Sequence, residues 1–376
     1  REQIEKDHAR QPIDWYVYSS AVAIERPDSA EIEFCREHNI KTSKRNELLN
    51  EILQQKNLKL IAIAGTHGKT TTTAMVIWLF KQLRLPISYS VGAKIAFGDM
   101  GEYSEGSQYF AYEADEFDRN FLTFQPHLSL ISGVSYDHHE IFKTRDDYKS
   151  AFREFIANSA RTILWHENYE YLELDAPTNL LIQDSAYPLI ELFKLKGRYN
   201  RLDAWLAVQA VHKLTKAPLA KLIEQINKFP GVQRRMEQIA PGLYSDYAHT
   251  PEKIRGGLSA ALETASKNQK VIVVYEPLTN RRQHYMIDDY IDCFTGAAKV
   301  YWLPSYLARE DPNQRVLGPN EMINHLADSS IAEPMRRGET LKKTIRKHLN
   351  QGDLVVAMTG GGGDSLDEWL RQEFAS

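Results

Sequence analysis

Residues 59–74 read K-L-I-A-I-A-G-T-H-G-K-T-T-T-T-A: an apolar strand, a loop of Gly65, Thr66, His67, Gly68, Lys69 and Thr70, and a threonine-rich helix start that includes Thr71. That order sets backbone N–H groups, a lysine and a hydroxyl around a polyphosphate, which points to an enzyme that uses ATP. Gly65 lets the chain turn sharply off the strand, and Gly68 lets the backbone approach phosphates with no Cβ in the way. Lys69 would reach the β and γ phosphates as a point charge, and the Thr70 hydroxyl would bind Mg²⁺. The spacing departs from the common P-loop, whose first glycine precedes Gly-Lys by four residues. Here there are two, and Ile63 stands where the common pattern has glycine.

A second group follows at the end of another apolar run. Tyr112-Glu113-Ala114-Asp115-Glu116-Phe117-Asp118 delivers four carboxylates, at the end of a strand where open α/β sheets bind ligands. A solvated acidic loop has the same composition, but a phosphate loop upstream needs a carboxylate for its Mg²⁺. The string Val134-Ser135-Tyr136-Asp137-His138-His139 closes a third apolar run.

These groups need a scaffold, and the hydrophobic patterning supplies one. Apolar residues at helical spacing mark 29–37 and 43–54, and the first clear element is a strand at 15–18, after a charged and polar lead. From 58 to about 228, strands at 107–112, 128–134, 162–165 and 180–182 alternate with helices, which predicts a mostly parallel sheet. Phe229-Pro230-Gly231 breaks the pattern. Strands at 242–247, 270–275, 299–303 and 353–358 then alternate with helices at 251–266, 283–294, 320–327 and 341–349, a second doubly wound α/β unit. The four glycines 360–363 close a strand and open a helix.

With 376 residues, 43% of them hydrophobic and 26% charged, the chain exceeds one ordinary core and has the composition of a soluble protein. A net charge of −4 gives no support for a nucleic-acid or membrane surface. Cys35 and Cys293 lie far apart in no metal-like spacing, which fits a reducing compartment and a cytoplasmic location.

The short loop G-T-H-G-K-T-T-T resembles, residue for residue, the signature of the Mur ligase family, the ATP-dependent amide-forming enzymes of peptidoglycan precursor synthesis. The resemblance runs in order through almost the whole chain. Glu113-Ala114-Asp115-Glu116 is similar to the E-A-D-E of the alanine-adding branch, which implies Glu113 as a metal ligand and Asp115 and Glu116 as substrate contacts. The 134–139 string resembles N-x-x-x-D-H, whose histidine helps hold a second Mg²⁺, and His138 is the matching position. Arg153 stands where several relatives carry a carbamylated lysine, so that group is not implied here.

Further along, 197–204 resembles G-x-H-N-x-x-N-A, which hydrogen-bonds adenine; Asn200 is kept, whereas Tyr199 and Asp203 replace His and Asn. Asn200 also suits a helix cap. Residues 231–237 match G-V-x-R-R-x-E, which implies Arg235 or Arg234 as the neutraliser of the γ phosphate. Residues 245–251 are similar to D-Y-A-H-x-P, implying Asp246 at the ribose and His249 at the nucleotide edge. In 274–282, Arg282 matches an arginine that pairs with the incoming carboxylate, and Leu278 replaces the histidine of the alanine pocket.

The resemblance implies a three-domain α/β architecture: a partial N-terminal Rossmann-like domain at 1–57, a central P-loop ATPase domain at 58–229 and a C-terminal Rossmann-like domain at 230–376. The S-S-A-V stretch at 19–22 sits late in the family's first domain, so the start of that domain, with its UDP-binding loop, is expected to be missing. The implied reaction joins L-alanine to the carboxylate of UDP-N-acetylmuramate with ATP and Mg²⁺, by way of an acyl phosphate. Lys69, His138 and Arg235 are the expected catalytic residues, in a monomer or homodimer. Two alternatives stay open: a recycling ligase that adds a murein tripeptide, since 137–142 resembles its D-H-x-x-I-F, and an idle ATP-binding regulatory module.

Overall fold

The computed structural model describes residues 1–19, 22, 29–139, 141–175, 179–307, 310 and 313–375. Ser20 and Ala21 of the S-S-A-V stretch and Glu140 lie outside the described residues. The chain forms two compact units, one of Arg1–Gly92, Met100–Tyr187 and Leu206–Leu219, the other of Ala93–Asp99, Pro188–Trp205 and Ala220–Ser376.

In the first unit, β1 (Trp15–Tyr18) and β2 (Lys41–Lys44) pair in parallel. The charged lead before β1 is a helix, Glu2–Arg10, which corrects the expectation that β1 is the first element. Its one buried residue, Ile4, packs with Phe34, Cys35 and Ile40, too sparse an apolar stripe to show periodicity. Helix Ala30–Glu37 starts on Ser29, whose side chain accepts from the Ile32 N–H at 3.3 Å. The next helix runs Arg45–Gln55 rather than from 43, because 41–44 belong to β2 and the Glu47 side chain caps the Lys44 N–H at 2.9 Å.

The main sheet of this unit contains β3 (Lys59–Ala64), β4 (Ser88–Ser90), β5 (Gly101–Glu102), β6 (Tyr109–Glu113), β7 (Leu128–Ile131), β8 (Thr162–Trp165) and β9 (Leu180–Gln183). Among the described residues its order is β5-β4-β6-β3-β7-β8-β9, parallel except for β5 against β4. Leu60 to Ala64 are buried, as a central parallel strand requires. Ile63 pairs with Glu113 on one side and Ala64 with Ile131 on the other, so the carboxyl ends of β6, β3 and β7 lie side by side. The connection from β6 to β7 crosses β3, a topological switch point where such sheets hold ligands. Beneath it Phe121, Phe152 and Phe155 pack together, with the Phe121 and Phe155 rings stacked at 4.7 Å.

The second unit carries β10 (Glu237–Ala240), β11 (Leu243–Asp246), β12 (Val271–Glu276), β13 (Lys299–Trp302), β14 (Ala332–Pro334) and β15 (Leu354–Thr359), in the order β10-β11-β15-β12-β13-β14. Only β10 is antiparallel to its neighbour among the described residues. The helix expected at 283–294 is instead a short helix, Asn280–Tyr285, and a 3₁₀ turn, Ile287–Tyr290. Thr279 draws the start forward by accepting from the Arg282 N–H at 3.2 Å. The helix expected at 320–327 is confined to Pro319–Ile323, started by Pro319 in its first turn. Strands β4, β5 and β14, of two or three residues, are too short for alternation to mark them in sequence, and β10 (E-Q-I-A) has no apolar run.

Under β12 and β13 the rings of Tyr275, Tyr290, Phe294 and Trp302 form an edge-to-face cluster, with Tyr275 and Trp302 5.0 Å apart at 87°. Trp302 is fully buried. Trp302→Ala is expected to lower the unfolding free energy of the second unit by about 3–5 kcal/mol. A denaturant titration checks this, and an unchanged midpoint would contradict the packing described.

Candidate active site

The loop after β3 is built by close approach. Gly65 has φ 144°, and a Cβ there would stand 2.5 Å from Ser132 Oγ and 2.8 Å from the Gly133 carbonyl, so no other residue fits without moving main chain. Gly68, at φ 82°, makes the left-handed turn into helix Lys69–Gln82. The Thr66 N–H donates to the Gly133 carbonyl at 2.7 Å, and Ser132 Oγ donates to the His67 carbonyl at 2.5 Å. The His67 ring lies over Gly133, where a Cβ would meet it at 2.7 Å. Ser132 and Gly133 thus shape the loop, although no motif singled them out.

Two carboxylates bind the loop's functional side chains. Thr70 Oγ1 donates to Glu113 Oε2 at 2.9 Å, and the Gly92 N–H donates to Glu113 Oε1 at 2.5 Å. Lys69 Nζ donates to Glu116 Oε2 at 2.6 Å and to the Gly65 carbonyl at 2.5 Å, and lies 3.6 Å from Asp115 Oδ1. Glu116 is fully buried, Asp115 half-exposed. Burial disfavours the Lys69 ammonium, but the negative charges of Glu116 and Asp115 outweigh it and hold the group above the usual lysine range. Partial desolvation favours the neutral Asp115 carboxyl, but the charges of Lys69 and His138 outweigh it and leave Asp115 below its usual value. Thr71, also expected at the nucleotide, is buried along with Thr72 and Thr73.

His138 closes the group. It sits at φ 56° with its N–H donating to Asp137 Oδ1 at 2.7 Å, and its Nε2 is 3.6 Å from Glu116 Oε1. One ligand atom each from Asp115, Glu116 and His138 falls within 4.8 Å of the others. Oxygen-rich donors of this kind, with Thr70 and Glu113 alongside, fit a hard divalent cation such as Mg²⁺. The acidic loop is kinked at two left-handed residues, Asp118 at φ 55° and Arg119 at φ 54°. Lys44 pairs with Asp118 at 2.7 Å and Arg119 with Asp147 at 2.5 Å. Arg153 serves the scaffold, with its Nε donating to the Leu172 carbonyl at 2.8 Å.

In the second unit the paired arginines divide their work. Arg234 donates through its two terminal nitrogens to the carbonyls of Gly361 and Thr359, each at 2.8 Å. Both guanidinium groups lie over the Tyr247 ring, Arg234 at 4.7 Å and Arg235 at 5.2 Å, and carbonyl bonds are made by Arg234. Asp246 is buried and accepts from the Met236 N–H at 2.9 Å; burial raises its carboxyl against the opposing charge of Arg235. His249 is buried beside Tyr247, and a Cβ on Gly360 would press on its ring at 2.6 Å. Asn200 donates to the Lys196 carbonyl at 2.7 Å in the first turn of helix Arg198–Thr215. Arg282 lies in helix Asn280–Tyr285.

Sequence reasoning passed over Glu276 at the end of β12. Its Oε2 accepts from Thr359 Oγ1 at 2.8 Å and from the Leu366 N–H at 2.9 Å, and its Oε1 faces Arg337 Nε at 3.7 Å. Burial raises this carboxyl above its usual range. A carboxylate closing a buried strand was the available signal.

Residues 63–179 match the Mur ligase middle domain and residues 234–361 the Mur ligase, glutamate ligase domain. The chain is 29% identical over 392 residues to UDP-N-acetylmuramate–L-alanine ligase of Lachnospira eligens, covering 94% of this chain and 83% of that protein. It is 26% identical over 368 residues to the enzyme of the same name from Desulfitobacterium hafniense, covering 89% and 81%. Its fold is similar to the crystal structure of UDP-N-acetylmuramate-alanine ligase from Thermotoga maritima, with TM-score 0.73, 22% identity and coverage of 96% of this chain and 84% of that one. A murein peptide ligase from Psychrobacter arcticus gives TM-score 0.64 at 19% identity, covering 97% and 86%.

Gly65→Ala is expected to destabilise the first unit by about 1–3 kcal/mol through strain and overlap with main chain. Gly106→Ala is the control, since Gly106 has φ 77° but an added Cβ there meets nothing within 4 Å. Thermal melting should fall further for the Gly65 variant; equal shifts would show that the close approach has no energetic weight.

Proposed function

Because the chain belongs to the Mur ligase family, we propose that it is an ATP-dependent ligase joining L-alanine to the carboxylate of UDP-N-acetylmuramate in peptidoglycan precursor synthesis. The observation that carries the reading is the head of helix Lys69–Gln82, where a part-buried lysine and a threonine each meet a carboxylate beside a loop that admits only glycine at 65. Relatives named for the alanine reaction, alignable over most of both chains, support the choice of acceptor. Among the described residues no helix is long and apolar enough to cross a membrane. The division at 57 and 229, the cytoplasmic location and a monomeric or homodimeric state belong to the same proposal.

In this reading the N–H groups of 67–70 and the Lys69 ammonium hold the β and γ phosphates, a task of positioning and charge neutralisation. Thr70, Glu113 and His138 would hold Mg²⁺, which would supply further positive charge to the polyphosphate, and Asp115 and Glu116 would face the substrate. Arg235 is the arginine that meets the γ phosphate, since Arg234 spends its donors on carbonyls. Asn200, Asp246 and His249 contact the nucleoside, and Arg282 pairs with the carboxylate of the incoming amino acid. The substrate carboxylate takes the γ phosphoryl group to give an acyl phosphate and ADP. The amine of alanine then attacks the acyl carbon, and phosphate leaves as the amide forms.

Phosphate release with ATP and UDP-N-acetylmuramate should depend on L-alanine, and Lys69→Ala should reduce it by about 10²–10³-fold or more. Release with a murein tripeptide but not with alanine would move the chain to the recycling reaction. No release with any acceptor would sink the ligase assignment.

A further inference from the structure

Tyr148, in helix Arg145–Ala157, is fully buried between three loops of the site. Its hydroxyl lies 2.7 Å from Thr66 Oγ1 in the phosphate loop and 3.4 Å from Glu116 Oε1, the carboxylate that holds Lys69. Thr66 Oγ1 also lies 2.7 Å from the Ser135 carbonyl and 2.9 Å from the Ser135 N–H, in the loop that leads to His138.

The proton count around Thr66 fixes the direction of each bond. The Ser135 N–H can only donate and the Ser135 carbonyl can only accept, so the single Thr66 proton goes to that carbonyl. The phenol proton of Tyr148 therefore goes to Thr66. Glu116 Oε1, at 3.4 Å from the same phenol oxygen, is left without that proton while its other oxygen takes the Lys69 ammonium. A buried carboxylate that lost its ammonium would be costly unless a new donor turned to it. Rotation of the phenol O–H about its C–O bond provides that donor with no movement of the ring.

Resting on the nucleotide reading above, we propose that Tyr148 is a positioning residue whose hydroxyl proton sits on Thr66 while Lys69 pairs with Glu116, and turns onto Glu116 when Lys69 moves to a phosphate. No covalent bond changes and no proton leaves its oxygen. The exchange lowers the cost of releasing Lys69 and links it to the loop that surrounds the phosphates.

The test is a double-mutant cycle on affinity for AMP-PNP with Mg²⁺, read by calorimetry in the wild type, Tyr148→Phe, Glu116→Gln and the double variant, with melting curves confirming folding. Tyr148→Phe is expected to weaken the nucleotide by about 10- to 100-fold, the weight of a hydrogen bond to a charged group. In the Glu116→Gln background, with no charge to compensate, the same change should have little effect. An equal loss in both backgrounds, or none in the first, overturns the proposal.

Should Tyr148→Phe not fold, 3-fluorotyrosine at 148 gives a second readout. Its ¹⁹F resonance should shift on adding AMP-PNP with Mg²⁺, and not in Glu116→Gln; an unmoved resonance in the otherwise wild-type chain overturns the proposal. A wild type that binds no nucleotide would overturn both this and the reading it rests on, whereas normal binding with an indifferent Tyr148 removes only the relay.

Discussion

A largely enclosed ammonium against a buried carboxylate is the constraint on which the first unit is organised. Lys69 and Glu116 meet at 2.6 Å with Glu116 fully enclosed, and either charge alone in that setting would be strongly unfavourable. The pairing needs β3 and β6 adjacent and parallel, so that the lysine after one strand reaches the acid after the other. It also needs the acidic loop turned back on itself, which the left-handed pair Asp118 and Arg119 accomplishes. The surface pairs Lys44–Asp118 and Arg119–Asp147 are each weak in isolation. Their value lies in fixing a strained turn whose position sets the buried pair.

Much of this was legible in the sequence, and the limit was physical. Local strings announced their own geometry: an apolar run followed by two glycines and a lysine is a strand, a turn and a helix start, and four acids after an apolar run must emerge at a strand end. The alternation of strands and helices gave both parallel sheets, because that pattern is set by burial along each element. Contacts between distant segments left no such mark. Nothing near Ser132 or Gly133 shows that a glycine 67 residues earlier will press against them. The helix Glu2–Arg10 was overlooked because one buried isoleucine makes no period, and the split of 283–294 followed from a threonine cap outside the apolar pattern.

Motif letters also conceal division of labour. The adjacent arginines 234 and 235 are equivalent on paper and both lie over the Tyr247 ring, yet Arg234, at φ 57°, also has its guanidinium bound to two carbonyls. Of four consecutive threonines, Thr70 hydrogen-bonds a carboxylate, while Thr71, Thr72 and Thr73 are interior. Burial, which a string of identical letters cannot express, separates packing from chemistry.

The acid that ends β12 has a wider effect. Helix Leu366–Phe374 begins after a glycine run at a sheet's carboxyl edge, the sort of place that attracts phosphate. There the Glu276 side chain already accepts from the Leu366 N–H. The second unit therefore carries its own built-in anion at that helix start, and an incoming polyanion would be repelled from it. At this helix start the place that an anion would take is already filled by the protein's own side chain.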